Sequence, residues 1–155
     1  MSAAHRRSPL RAASTCCRVS PLVTEPRPSV TRFVDAVARA ERGDGADDFD
    51  VAKRIMKRLH QQLSKVVGPA GFDVLLARSI VLARRAHPAL SGITAGAGGA
   101  LQGVDDAARD RLALQGGALA IAEHFVELLA VLIGEDLAMR LLRDVWPRVA
   151  EEHKK

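Results

Sequence analysis

The chain reads as an all-α protein, a single helical bundle of four main helices plus a weaker N-terminal helix, preceded by a disordered N-terminal tail. Three observations predict this. Apolar residues recur three and four apart along most of the chain from Val30 onward. No segment alternates apolar and polar side chains in the manner of a half-buried strand. The length of 155 residues, with 48% hydrophobic and 3% aromatic side chains, suits one aliphatic core and excludes separate cofactor and substrate lobes.

Residues 1–29 are read as a disordered basic tail. Arg6, Arg7, Arg11 and Arg18 stand there with Pro9, Pro21, Pro26 and Pro28 and without a repeating apolar face, so little burial offsets the entropy of ordering. His5-Arg6-Arg7 echoes a twin-arginine export signal but lacks the apolar stretch behind it, and the acid-poor character also suits an organelle transit peptide. The reading is a cytoplasmic protein, with export or organelle targeting as the alternatives. Cys16 and Cys17 are adjacent and without a partner histidine, and are read as incidental thiols.

Residues 30–46 predict a short helix and loop, from Val30, Phe33, Val34, Val37 and Ala38, stopped by Gly43-Asp44-Gly45. The bundle domain is assigned to 47–148. Asp47, Asp48 and Asp50 crowd its start, where free amides and the helix dipole favour carboxylates, and they lack the alternation and terminal Glu of a calcium loop. On a helical wheel Phe49, Ala52, Ile55, Met56, Leu59, Leu63, Val66 and Val67 share one sector and face a core. Gly68-Pro69-Ala70-Gly71 is a turn, and a second helix is expected from near Phe72, burying Leu75, Leu76, Ser79, Ile80, Leu82, Ala83 and Ala86. Val74 and Val81 fall on its far side among Arg78, Arg84 and Arg85, which suggests a second covered surface. His87 stops that helix before Pro88 and does not project from mid-helix, as a phosphotransfer histidine must.

The glycine-rich stretch 91–103 reads as a plain linker. Leu101 stands where a dinucleotide fingerprint needs its third glycine, and no Gly-Lys-Ser/Thr ends the stretch as in a phosphate-binding loop. A long helix is then expected from Asp105 to Ile133, with Gly116-Gly117 marking a kink or a close backbone approach. Leu114, Ala118, Ile121, Phe125, Leu128 and Leu132 line its buried face, with Glu123, His124 and Glu127 on a narrow polar strip. That strip holds one His-x-x-Glu and no second half-site, so no metal is expected, and its charges rule out a membrane span. A last helix runs from Glu135 to Trp146, with Trp146 packing the bundle end, Pro147 as terminator and 149–155 as a frayed tail.

The candidate binding site is a basic face. Lys53, Arg54, Lys57, Arg58 and Lys65 lie in 51–72, a segment without a single acid. The function expected from this is a small protein-interaction or regulatory module, either a homo-oligomer or the receiver of a helical partner, with an acidic protein surface on the basic face. A nucleic-acid-binding protein using the basic helix 51–67 and the arginine-rich tail is the alternative. An enzyme or metal-binding bundle comes third, because no nucleophile and base pair up. No catalytic residue, metal ligand or cofactor is predicted.

Overall fold

The computed structural model describes residues 26–103 and 114–152. It is all-α apart from one tiny hairpin. The helices are α1 (Pro28–Glu41), α2 (Asp48–Val67), α3 (Pro69–Ala86), α4 (Gly117–Ile133), α5 (Glu135–Val145) and α6 (Pro147–Glu152). The aspartates at the start of α2 act as read from sequence: the Asp47 carboxylate caps the helix, accepting the Asp50 N–H at 2.8 Å. Pro69 sits in the first turn of α3, where a missing N–H costs nothing, so the helix starts three residues earlier than Phe72.

Helix α4 is the centre of the bundle and packs against α1, α2, α3 and α5. Ala118, Ile121, Ala122, Phe125 and Leu129 are completely buried in it, and Phe125 meets Phe72 of α3 at 4.7 Å between ring centroids. Small residues on α4 let its neighbours approach closely. A Cβ added at Gly117 would stand 3.1 Å from the His87 Cβ at the end of α3. The expected helix from Asp105 to Ile133 is not one element. Gly116 has φ +82°, a left-handed conformation that breaks the helical path, so α4 begins at Gly117; residues 104–113 lie outside the described residues. At the other end the apolar row overshoots, because Val131 and Leu132 are exposed.

Helix α1 packs into the bundle. Val30, Phe33, Val34, Ala36, Val37 and Ala38 are all buried in the same core as α2 to α5. Residues 26–29, assigned to the tail, are ordered into its start. Arg27 precedes Pro28 and pairs with Glu127 and Glu135, while Ser29 Oγ donates to Glu135. The rest of the tail, with Cys16 and Cys17, lies outside the described residues. At the C-terminus α5 ends just before Pro147, as expected, and Pro147 then opens a further helix. Residues 147–152 are helical and Val149 is buried, while 153–155 lie outside the described residues.

The glycine-rich stretch is also built into the core. Thr94 pairs with Gln102 and Ala95 with Leu101 in a two-stranded antiparallel hairpin, β1 (Thr94–Ala95) and β2 (Leu101–Gln102), flanked by short 3-10 turns. No alternating pattern announced these strands because each has only two residues. Leu90 and Ile93 are fully buried, and Arg84 holds the turn between them by donating from Nε to the Leu90 carbonyl at 3.2 Å and from Nη2 to that of Ile93. The hairpin tip presses Gly99 against α2 and α3. Its φ is +74°, and a Cβ there would meet the His60 Cβ at 2.9 Å, the Met56 carbonyl oxygen at 3.1 Å and the Phe72 ring at 3.1 Å.

Gly99→Ala therefore combines left-handed strain with a steric clash against backbone, and is expected to destabilise the fold by about 2–4 kcal/mol. Urea denaturation measures it; a loss below about 0.5 kcal/mol would show that the hairpin is not packed as described.

Candidate functional site

The basic face lies on α2, and its five cations meet different fates. Lys53 is tied to its own helix, with Nζ at 3.3 Å from Asp50 and 5.0 Å from the centre of the Phe49 ring. Arg54 donates from Nη1 to the Glu41 carbonyl at 2.9 Å, capping the last turn of α1, where free carbonyls favour a cation. Arg58 pairs with the Glu41 carboxylate at 2.5 Å, and the same oxygen accepts Trp146 Nε1 at 2.8 Å. Glu41 thus joins three helices through one carboxylate. Lys57 and Lys65 are exposed and make no ion pair with another described residue.

The arrangement splits the predicted site into a structural part and a free part. Lys53 pairs within the first turns of α2, while Arg54 and Arg58 tie α2 to the end of α1, a link not legible in the sequence because Glu41 is 13 and 17 residues from them. Glu123 and Glu127, which could have paired with this face, do not reach it. Glu127 turns to Arg27 instead, at 3.0 Å from its Nε.

Two adjoining clefts open on this side of α2, one of them lined by Lys65. A cleft of about 610 Å³ is lined by Glu41, Arg58, Trp146, Pro147, Arg148 and Val149, among others, and a second of about 270 Å³ by Leu63, Lys65, Val66, Leu141 and Asp144. Val145 lines both, so together they follow the seam between α2 and the α5–α6 corner. The smaller cleft is lined mostly by apolar surface and the larger equally by polar and apolar surface, and Val66, expected in the core, is 53% exposed at one end. The outer wall carries Arg58, Lys65 and Arg148 against Asp144, with Glu41 already neutralised by Arg58. Such a groove can take an apolar stripe and place acidic flanks against its rim. Trp146 packs the bundle end as expected, 4% exposed and edge-on to Phe33 at 6.4 Å.

Most of the polar strip on α4 is buried: His124 and Glu127 are each 4% exposed and Glu123 is half-buried, because four helices pack against α4. Glu127 is compensated by Arg27, which donates from both its backbone N–H and its guanidinium. His124 Nδ1 is buried without a hydrogen-bond partner. Burial, aided by nearby His87, pushes the His124 imidazole below its ordinary value of 6.5, with Glu127 opposing. Burial and then Asp35 raise the Glu123 carboxyl above 4.5. Among the described residues no three His, Cys, Asp or Glu side chains come together in a way that could hold a metal ion, and no helix is long and apolar enough to cross a membrane.

The sign of the pH dependence follows. With its pKa lowered by folding, His124 binds fewer protons in the native state, so its contribution is intact above 6.5 and is lost as pH falls through that value toward the folded pKa. Glu123 acts in the opposite sense, gaining on acidification from its raised pKa downward. Thermal unfolding from about pH 7.5 down to about pH 5.5 is expected to show a falling midpoint in the parent chain and a flatter profile in His124→Leu. Identical slopes in the two proteins would remove His124 from the account.

Comparison with protein-family models, with curated proteins and with solved structures finds no match for this chain.

Proposed function

We propose that this chain is a small helical protein-interaction module whose groove between α2 and the α5–α6 corner receives an amphipathic helix with acidic flanks. The observation that carries the reading is the placement of Lys65 and Arg148, neither in an ion pair with a described residue, along a partly apolar groove, with Arg58 in its wall already paired to Glu41 and Lys57 unspent elsewhere on the same helix. Apolar lining supplies affinity when a hydrophobic stripe replaces water, and rim cations supply orientation and rate. Charge complementarity selects an acidic partner. A phosphate backbone is the weaker match, because Lys53, Arg54 and Arg58 are already committed to Asp50 and Glu41 and few cations remain to release counterions.

Trp146 is the single tryptophan of the chain and lines the larger cleft, which makes it an internal reporter. Titration with a synthetic Leu- and Glu-rich amphipathic helical peptide is expected to shift its emission, and the response should weaken as salt rises. The double variant Lys57→Glu with Lys65→Glu should keep the thermal midpoint, since neither side chain supports the fold, while affinity falls about tenfold or more. A duplex oligonucleotide should bind more weakly than the peptide. No response to the peptide, or tighter binding of the duplex, would overturn the reading.

A further inference from the structure

Helix α3 carries an apolar seam on the side facing away from the core. Ala70, Val74, Ala77 and Val81 are all exposed, Val74 at 69% and Val81 at 41%, and they follow one another at spacings of four, three and four. This is the a and d pattern of a two-stranded coiled coil, repeated over two heptads on one face. The opposite side of the same helix buries Phe72, Leu76, Ser79, Ile80 and Ala83, so the seam is a second, separate face and no spillover of the core.

The residues beside the seam say what covers it. With Val74 and Val81 at a, Asp73 occupies a g position and Arg78 an e position. In a parallel pair of helices a g residue faces the e′ residue five positions further along the partner, which sets Asp73 against Arg78 of a second copy, twice by symmetry. In an antiparallel pair e faces e′, bringing Arg78 and Arg85 against their own kind. Neither Asp73 nor Arg78 is spent within the chain. Neither makes an ion pair with a described residue, and Asp73 is half-buried, its Oδ1 shielded from solvent without a hydrogen-bond partner. Arginines elsewhere on the bundle, such as Arg27, Arg42, Arg54 and Arg58, do find partners.

We propose that the outer face of α3 is a self-association surface on which a second copy of this chain lays its own α3 in parallel. Small side chains at all four seam positions allow the two helices to approach closely, and the surface lies on a different helix from the α2 groove, so the dimer can form with that groove open. The inference does not rest on the groove reading.

Sedimentation equilibrium on the full chain tests it, together with disulfide trapping. The parent chain is expected to dimerise, and Val81→Asp, at an exposed position, should be monomeric with an unchanged helical signal. Arg78→Asp should raise the dissociation constant by about tenfold through repulsion across the pair, and the charge-swapped double variant Asp73→Arg with Arg78→Asp should recover it. In a chain with Cys16 and Cys17 replaced by serine, Ala70→Cys should cross-link to itself, because parallel packing sets residue 70 beside its copy while antiparallel packing sets it beside the far end of α3. A monomeric parent chain, a Val81→Asp variant that still dimerises, or an Ala70→Cys variant that fails to cross-link while dimeric would each overturn the proposal.

Discussion

The burial of most of α4 is the constraint to which the other helices answer. Its inner apolar residues and the side chains of His124 and Glu127 are out of water, so four helices must pack on it and one of them must neutralise a carboxylate. Bringing Glu127 into the interior without a partner would cost several kcal/mol. Arg27 offsets that cost from the start of α1, where the backbone amide and the guanidinium both reach the same carboxylate. The place of α1 in the fold follows from this pair together with the buried Val30, Phe33, Val34 and Val37. A helix that looked peripheral by its length is the one that closes the centre.

A second carboxylate organises the opposite end. Glu41 ends α1, accepts from Arg58 on α2 and from the indole of Trp146 at the end of α5, and so fixes the angle at which α5 and α6 meet α2. The larger cleft along that seam is lined by both members of this polar junction, Glu41 and Arg58, and by Trp146. Structure and proposed binding therefore share residues: Arg58 both braces the corner and forms part of the groove wall, whereas Lys57 and Lys65 are free of structural duty. This division explains how a run of cations on one helix is tolerated. Like charges at i,i+4 cost a few tenths of a kcal/mol per pair, and carboxylates and carbonyls from α1 and α2 relieve the repulsion at Lys53, Arg54 and Arg58.

His124 shows the other side of close wrapping. An imidazole with a buried, unpartnered nitrogen is held neutral by its surroundings, and the core around it is therefore coupled to proton concentration through its pKa. Glu123, one residue earlier and half-buried, is coupled in the opposite sense.

What local periodicity and capping chemistry decide was legible in the sequence: the all-α class, the cap at Asp47, the core stripe of α2, the exposed Val74 and Val81, and the packing of Trp146. These depend on residues within a few turns of one another, and spacings of three and four encode them directly. Tertiary structure alone decided the rest. That the glycine pair breaks the helical path at Gly116, that Gly99 fits a hairpin tip between α2 and α3, and that Pro147, besides following the end of α5, opens a further helix depend on what packs there, since each residue has more than one allowed role. The fate of the basic face was hidden for the same reason. Arg54 and Arg58 meet Glu41 across 13 and 17 residues, and Glu127 meets Arg27 across 100, so no local pattern could tell a cation spent on the fold from one left for a partner.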